Sequence, residues 1–261
     1  MPFPIELPET FSQKLSQTDD VLTGMWLCSG SRVAAEICAG SGIDWLLIDG
    51  EHSPLSLETV QTQLQAIAPY PVTPMVRVPE NEYVFIKQYL DLGVQNLLVP
   101  MVNTVEEAQS AIDATRYPRP GGTGTRGIGS AFARAARWGR VPDYLARAEE
   151  TISLTLQIES AEAVENVDDI AALDGVDALF VGPSDLSASM GLIGQQTHED
   201  VIAAAIRVIE AGAKAGKPVG INAFNIDVAR RYIDAGARFV LVGSDVTLLA
   251  RGSEELAKKL K

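Results

Sequence analysis

Short apolar runs alternate with longer amphipathic segments along almost the whole chain. Eight of these runs have the length and composition of buried parallel strands, which is typical of a chain built from βα units. They lie at Thr23–Cys28, Trp45–Asp49, Pro74–Val78, Asn96–Pro100, Ser153–Ile158, Ala178–Gly182, Val219–Asn222 and Phe239–Gly243. So many strands within 261 residues favour a single (β/α)8 TIM barrel over a doubly wound open sheet. We therefore predict one α/β barrel domain spanning residues 1–261.

The segments between the predicted strands have helical periodicity, and glycine follows several of them as a C-terminal cap. We predict helices at Leu57–Ala68, Tyr83–Leu92, Val105–Thr115, Ala161–Ala172, His198–Ala215, Ile226–Ala235 and Glu254–Leu260. Residues 117–144 form an unusually long connection, and long ordered loops are usually functional. Its arginines, which include Arg126, Arg134 and Arg140, favour an anion-facing lid or a contact between subunits. A flexible surface loop is the alternative.

The composition excludes several classes of partner. A formal net charge of −13 repels the phosphates of nucleic acids and anionic lipid surfaces. Cys28 and Cys38 are too few, and wrongly spaced, for a disulfide framework or a zinc site. The N-terminal residues do not resemble a secretory signal, and no apolar run reaches the roughly 18 residues of a membrane span. We expect a cytoplasmic protein that binds neither nucleic acid nor membranes.

Polar residues follow the second predicted strand, and one lies within the third. In a barrel, the C-terminal ends of the strands carry the catalytic residues. Asp49, Glu51 and His52 should lie at one strand end, with Arg77 at the next. A histidine among carboxylates suits a general base that works near neutral pH, although a structural role for His52 stays equally open.

Two carboxylates are predicted at the ends of the fifth and sixth strands. Gln157 and Glu159 alternate onto one face of the fifth strand, and Asp185 follows the sixth. Like charges in one cleft are costly unless a cation lies between them, and oxygen ligands favour Mg²⁺, Mn²⁺ or a similar ion over zinc. Alternatively, Asp185 caps its helix and Glu159 pairs with an arginine. The backbone N–H groups of Ser184 and Asp185 could also bind a substrate carboxylate at a helix N-terminus.

No lysine is predicted at the C-terminal end of a strand. The seven lysines fall on the N-terminal segment, on helices, at the start of a strand or at the C-terminus; they are Lys14, Lys87, Lys214, Lys217, Lys258, Lys259 and Lys261. A Schiff-base enzyme needs a lysine in its active site. Carbanion chemistry here would therefore depend on a metal ion.

Seven short motifs occur in a characteristic order along the chain. They are Ile-Asp-Gly-Glu-His-Ser-Pro, Pro-Met-Val-Arg-Val-Pro, Leu-Leu-Val-Pro-Met-Val, Gly-Thr-Arg-Gly-Ile-Gly, Gln-Ile-Glu-Ser, Val-Gly-Pro-Ser-Asp-Leu-Ser and Phe-Val-Leu-Val-Gly-Ser-Asp. With them the chain resembles the HpcH/HpaI aldolase family over almost its whole length. The resemblance implies a barrel of the phosphoenolpyruvate/pyruvate-binding type. It also implies a class II aldolase that reversibly cleaves 4-hydroxy-2-oxo acids to pyruvate and an aldehyde through a metal-stabilised pyruvate enolate.

Two other functions stay open. The same resemblance allows a decarboxylase or another carbon–carbon lyase that acts on oxaloacetate-like or citramalyl-type acids, because these reactions share the enolate half-reaction. A barrel that only binds dicarboxylates would be the non-enzymatic alternative, but binding alone explains neither the residues around His52 nor the paired carboxylates.

The resemblance also assigns roles to individual residues. Glu159 and Asp185 would hold Mg²⁺, Mn²⁺ or Co²⁺, Arg77 would face the keto or enolate oxygen, and His52 would transfer the proton. Asp49 or Asp91 would orient His52, from its own or a neighbouring subunit. The pyruvyl pocket would be lined by Trp26, Gln157, Pro183 and Ser184, together with Asp185 and Arg77.

The family implies a homohexamer, a trimer of dimers in which the final helix, here Ser253–Leu260, is exchanged between subunits. The sequence supplies apolar positions for such a contact at Val246, Leu248, Leu249, Leu256 and Leu260. An ordinary eighth helix packed on its own barrel explains the same pattern equally well. The segment Arg126–Arg140 could then contact a neighbouring subunit and help complete its substrate pocket.

Overall fold

The computed structural model describes residue 3 and residues 5–259. Eight parallel strands close into a barrel in chain order. They are β1 (Leu22–Leu27), β2 (Trp45–Asp49), β3 (Thr73–Arg77), β4 (Asn96–Val99), β5 (Ser153–Ile158), β6 (Ala178–Val181), β7 (Val219–Asn222) and β8 (Phe239–Ser244). The predicted (β/α)8 barrel is confirmed, and each predicted strand end lies within one residue of an observed one.

Apart from a first short helix that precedes β1, the helices follow the strands and lie around the outside of the barrel. In chain order the helices are α1 (Phe11–Ser16), α2 (Arg32–Ala39), α3 (Leu57–Ile67), α4 (Tyr83–Asp91), α5 (Val105–Thr115), α6 (Tyr144–Arg147), α7 (Ala161–Glu165), α8 (Val167–Ala172), α9 (Pro183–Ser189), α10 (Glu199–Ala215), α11 (Ile226–Asp234) and α12 (Asp245–Lys258). Within the described residues, no helix combines the length and the apolar character that a membrane span requires.

Several helices differ from the sequence-based expectation. The helix predicted over residues 161–172 is divided at Asn166, whose side chain donates to the backbone oxygen of Asn103. The last helix begins at Asp245, well before the predicted Glu254, because the Ser244 side chain accepts a hydrogen bond from Thr247 N and caps it. Leu260, the predicted end of this helix, lies outside the described residues. The sequence did not predict α1, α2 or α6. Ser31 caps α2 in the same way as Ser244 caps α12.

Aromatic side chains fill the barrel at the N-terminal ends of the strands. Phe11 of α1 closes this end, with its ring centroid 5.3 Å from that of Trp45 and 5.1 Å from that of Phe239. All three side chains are fully buried. Glycine is required at Gly24, since a Cβ atom there would lie 2.2 Å from the Trp45 ring. Burial of one such ring stabilises the fold by about 1.5–3 kcal/mol, so the closed end is a rigid base for the open end.

The long connection between α5 and β5 is ordered and packs at the N-terminal end of the strands. Arg126 is fully buried there, with its guanidinium carbon 4.5 Å from the centroid of the Tyr117 ring. Arg134 donates to the backbone oxygen of Leu92, which precedes β4. Because α5 runs back from the C-terminal ends of the strands, its connection to β5 lies at the opposite end of the barrel. The segment therefore forms no lid over its own chain's strand ends, and a contact with another subunit stays a prediction.

Candidate active site

A cleft of about 270 Å³ lies at the C-terminal ends of the strands. Eight of the ten predicted site residues line it. Its wall consists of Trp26, Cys28, Asp49, His52, Arg77, Gln157, Phe180, Gly182, Pro183, Ser184, Asp185, Asn222, Phe224 and Ser244. A larger cavity of about 660 Å³ lies at the other end of the barrel, beside the first residues of β3 and β4. Catalytic groups of a barrel converge where the strands end, so the smaller cleft is the candidate site.

Arg77 is held from three sides. Asp49 is its partner in the register of β2 and β3, and the Asp49 Oδ1 atom lies 3.0 Å from Nε and 2.8 Å from Nη2 of Arg77. The Glu51 Oε2 atom lies 2.8 Å from Nη1. The guanidinium carbon lies 4.4 Å from the centroid of the Trp26 ring, whose indole N–H donates to Asn222. These contacts fix the plane of a buried guanidinium, as recognition of a substrate oxygen requires.

Asp49 positions the backbone of the loop that carries His52. Its Oδ1 atom accepts hydrogen bonds from the backbone nitrogens of Glu51 at 3.1 Å and His52 at 3.3 Å, and its Oδ2 atom accepts one from Ser53 Oγ at 3.0 Å. The His52 imidazole itself is 66% exposed at the rim of the cleft. Its Nε2 atom lies 3.8 Å from Glu51 Oε2, which is longer than a hydrogen bond. Asp49 thus orients the loop rather than the imidazole ring.

Asp91 does not reach the cleft of its own chain. It is the last residue of α4, so it lies near the N-terminal ends of the strands, opposite His52. Its Oδ1 atom accepts a hydrogen bond from Nη2 of the buried Arg126 at 3.3 Å. If Asp91 orients a histidine, that histidine belongs to a neighbouring subunit. The within-chain alternative from the sequence is wrong, because helices and strands of a barrel run in opposite directions.

Glu159 is buried at the end of β5, beneath the residues that line the cleft. Its Oε1 atom accepts a hydrogen bond from the backbone nitrogen of Met101 at 2.8 Å, and its Oε2 atom accepts one from Gln157. The pKa of Glu159 is raised to about 7, mainly by burial. The negative charges of Glu51 and Asp185 contribute to the increase, and the hydrogen bonds from Met101 and Gln157 oppose it. The structure thus places an acid with a pKa near neutrality in the predicted metal site.

Two backbone features make room for this carboxylate. A Cβ atom at Gly182 would lie 2.5 Å from Glu159 Oε2 and 2.8 Å from Gln157 Nε2, so only glycine fits at that position. Met101 has a φ of 53°, in the left-handed region that non-glycine residues rarely adopt. This strained conformation accompanies the N–H that donates to Glu159, as is common at functional sites. Neither contact could be found from the local sequence pattern.

The donor set around Glu159 and Asp185 fits a divalent cation. Asp185 lies exposed in the first turn of α9 and faces the cleft. Every ion pair among the described residues involves a carboxylate other than those of Glu159 and Asp185. Neither of these two carboxylates is therefore neutralised by a lysine or arginine. The alternative of a Glu159–arginine pair is therefore wrong. Carboxylate oxygens at a site of uncompensated negative charge are the ligands that Mg²⁺ and Mn²⁺ prefer.

Within residue 3 and residues 5–259, no group of three or more His, Cys, Asp and Glu side chains is arranged to hold a metal ion. The protein would thus supply two carboxylates to such an ion. The remaining coordination positions would be left to substrate and water.

Two further residues of the site were not assigned a role from the sequence. Glu51 was recognised only as a neighbour of His52, yet it pairs with Arg77, and burial raises its pKa against the lowering effects of Arg77 and His52. Asn222 ends β7 and holds the Trp26 indole through a 3.0 Å hydrogen bond. Its position at a strand end was the one signal that could have identified it.

Known proteins resemble this chain over most of its length. A model of the family described as HpcH/HpaI aldolase/citrate lyase matches residues 22–252. The 4-hydroxy-2-oxo-heptane-1,7-dioate aldolase of Shigella sonnei is 52% identical over 236 residues, which are 90% of this chain and 89% of that protein.

Solved structures agree with these sequence matches. The crystal structure of an HpcH/HpaI aldolase/citrate lyase family protein from Burkholderia cenocepacia superimposes with a TM-score of 0.90 and 42% identity, covering 95% of this chain and 98% of the other. An HpcH/HpaI aldolase from Desulfitobacterium hafniense gives 0.87 and 26%, with 97% of each chain covered.

Proposed function

Because this chain belongs to the HpcH/HpaI aldolase/citrate lyase family, we propose that it is a divalent-metal-dependent aldolase that cleaves 4-hydroxy-2-oxo acids to pyruvate and an aldehyde. Its relatives of 52% identity carry the name of an aldolase that acts on such an acid. The observation that carries the proposal is the buried Glu159 carboxylate. This carboxylate has a raised pKa and lies near a second carboxylate, Asp185, so a cation bound beside the fixed guanidinium of Arg77 would stabilise the charged form.

Glu159 and Asp185 would hold Mg²⁺, Mn²⁺ or Co²⁺, all of which accept oxygen ligands. When bound, such an ion supplies Lewis-acid stabilisation of the negative charge that develops on the 2-oxo acid. Gln157 fixes Glu159 by a hydrogen bond to its Oε2 atom, and Met101 N–H fixes the Oε1 atom. The two hydrogen bonds leave this carboxylate little freedom to turn away from the cleft.

Arg77 faces the 2-keto oxygen of the substrate in our proposal. The C3–C4 bond of the substrate breaks heterolytically, and its electron pair forms the C2–C3 double bond of the pyruvate enolate. Negative charge therefore grows on the keto oxygen in the transition state. A guanidinium already oriented by Asp49, Glu51 and Trp26 stabilises that charge with little reorganisation. Trp26, Gln157, Pro183 and Ser184 form the wall around the pyruvyl group.

His52 transfers the proton. During cleavage it accepts the C4 hydroxyl proton as the aldehyde leaves, and protonation at C3 then yields pyruvate. In the synthetic direction a proton leaves the methyl group of pyruvate before the new bond forms. The exposed imidazole at the rim can exchange its proton with water, and Asp91 of a neighbouring subunit would orient it.

The experiment that tests this proposal compares two substrates on the same enzyme. Pyruvate release is measured from a 4-hydroxy-2-oxo acid and from oxaloacetate, with kcat/KM determined for each. We expect the 4-hydroxy-2-oxo acid to be the better substrate. A higher kcat/KM for oxaloacetate would make the protein a decarboxylase with the same site. If no 2-oxo acid is turned over, the protein binds such acids without catalysing a reaction.

We also propose a homohexamer, a trimer of dimers. Several large apolar side chains of α12 are exposed in the single chain, among them Leu248 at 61%, Leu249 at 74% and Leu256 at 65%. Phe132 and Trp138 of the long connection are exposed as well. Light scattering should report a mass several times 27.9 kDa, and truncation before Ser253 should lower both the number of subunits in the oligomer and the activity. A fully active monomer would contradict a shared site. Exchange of the final helix and action in the cytoplasm remain predictions.

A further inference from the structure

Asp245 ends the last of the seven sequence motifs and is the first residue of α12. It is 7% exposed, and it does not line the cleft. None of the ion pairs in the described part of the chain includes it. A buried carboxylate without a cation is costly unless hydrogen bonds satisfy its oxygens. The donors around Asp245 therefore indicate its role.

Four hydrogen bonds satisfy the Asp245 carboxylate, and three of them come from a distant part of the chain. Its Oδ1 atom accepts from the backbone nitrogens of Cys28 and Val246, both at 2.8 Å. Its Oδ2 atom accepts from the Ser29 backbone nitrogen at 3.2 Å and from the Ser29 hydroxyl. Ser244 supplies the side-chain cap of α12, which leaves Asp245 free to bind the two residues that follow β1.

These bonds hold β1 where its pairing with β8 is irregular. On the side of β2, the register of β1 is regular as far as Leu27 and Ile48. On the side of β8, the register shifts between Gly24 and Trp26, and Trp26 is the partner of Ser244. A shift of this kind disrupts the hydrogen-bond ladder locally. The carboxylate that follows Ser244 therefore ties the end of β1 to the end of β8.

The end of β1 carries Trp26, which packs against Arg77. Trp26 lies two residues before Cys28, and its ring centroid is 4.4 Å from the guanidinium carbon of Arg77. Its indole N–H donates to Asn222, which restrains one edge of the ring. The backbone position of β1 sets where the whole ring lies. A misplacement of about 1 Å at a reacting site can lower the rate about 100-fold, so a small shift of this strand end matters.

We propose that Asp245 is a positioning residue that holds the end of β1, so that Trp26 keeps the Arg77 guanidinium oriented toward the substrate. This inference rests on the proposed aldolase function, in which Arg77 stabilises the charge on the keto oxygen as the C3–C4 bond breaks. Every group in this series of contacts belongs to one subunit. Because Arg77 is needed most in the transition state, loss of its orientation lowers kcat more than it changes KM.

The test measures cleavage of a 4-hydroxy-2-oxo acid by Asp245→Asn, which keeps the size of the side chain but replaces one acceptor oxygen by a donor. We expect kcat to fall about 10-fold while KM changes less than about 2-fold. Asp227→Asn is the matched control and should change neither, because Asp227 also lies in the first turn of a helix but is exposed. Ser29→Ala removes one of the four donors at an exposed residue. It should lower kcat about 3-fold, even if Asp245→Asn does not fold.

A double-mutant cycle shows whether Asp245 acts through the tryptophan. In a Trp26→Leu enzyme, Asp245→Asn should lower kcat less than about 2-fold, because the ring that it positions is gone. An equal loss of kcat with and without Trp26 would overturn the inference. Wild-type kcat in both Asp245→Asn and Ser29→Ala would overturn it as well.

A second measurement needs no turnover. Fluorine NMR of the protein labelled with fluorotryptophan gives one signal for each of its three tryptophans, and the Trp26 signal is the one that Trp26→Leu removes. Asp245→Asn should move the Trp26 signal and leave those of Trp45 and Trp138 in place. An unmoved Trp26 signal overturns the inference. A moved signal, in a protein whose wild type cleaves no 4-hydroxy-2-oxo acid, refutes the aldolase function but not the positioning of Trp26.

Discussion

Replacement of Glu159 by glutamine should stabilise the metal-free protein while abolishing its activity. The folded protein raises the pKa of this carboxyl from 4.5 to about 7, mainly by burial. At 1.36 kcal/mol per pKa unit, the ionised carboxylate costs about 3 kcal/mol of folding free energy. Glutamine keeps the shape, and Gln157 can turn its amide, whose oxygen has no partner within the described residues, to accept from the new side chain.

The gain depends on pH in a defined direction. The folded state holds this proton more tightly than the unfolded state, so stability falls as pH rises from 4.5 to about 7. Below that window the cost is absent, and above it the cost is complete. Glu159→Gln should therefore raise the free energy of unfolding by about 3 kcal/mol at pH 8 but by only about 1 kcal/mol at pH 5.

Urea unfolding followed by circular dichroism measures this difference. A chelator keeps the protein metal-free, and the protein concentration is held constant because oligomers unfold in a concentration-dependent way. Glu165→Gln is the matched control, since Glu165 is an exposed glutamate of α7. It should change the free energy of unfolding by no more than about 0.5 kcal/mol at either pH. A gain from Glu159→Gln that is equal at both pH values would show that ionisation of Glu159 does not destabilise the folded protein.

Three other substitutions test neighbouring parts of the site. Arg77→Lys should lower kcat more than it changes KM in steady-state assays, because the ammonium group of lysine cannot replace the planar guanidinium that Asp49 orients. An unaltered kcat would contradict this expectation. His52→Ala should slow proton exchange at the methyl group of pyruvate about 100-fold, as followed by NMR in deuterated water. Unchanged exchange would exclude the histidine as the base. Gly182→Ala should displace Glu159 and weaken metal binding measured by calorimetry, whereas wild-type affinity would show that the carboxylate can shift.

Local patterns in the sequence predicted the strands well, because each strand is a short apolar run buried on both faces. The strand ends then identified most of the cleft, since the barrel brings all C-terminal ends together. Helix ends were predicted less well. The last helix was predicted to begin at Glu254, but the cap at Ser244 starts it at Asp245, and it continues through Gly252 because a helix tolerates a single glycine.

Contacts between distant segments were beyond the sequence. The pairing of Glu51 with Arg77 depends on the register of β2 and β3, and the bond from Met101 to Glu159 depends on a rare backbone conformation. Asp91 was placed correctly on a helix end, but only the direction of α4 shows that it is remote from His52 in the same chain. Burial of Arg126 was likewise unexpected for an arginine-rich loop.

Metal-dependent aldol cleavage is tested most directly by the dependence of pyruvate release on a divalent cation. The enzyme is exhaustively chelated, assayed with a 4-hydroxy-2-oxo acid, and assayed again after addition of Mg²⁺, Mn²⁺ or Co²⁺. We predict that activity is lost and then restored in the wild type, and that Glu159→Gln and Asp185→Ala are not restored at the same metal concentration. Full activity in the presence of chelator, or trapping of a pyruvate–lysine adduct by borohydride, would exclude a metal-dependent mechanism.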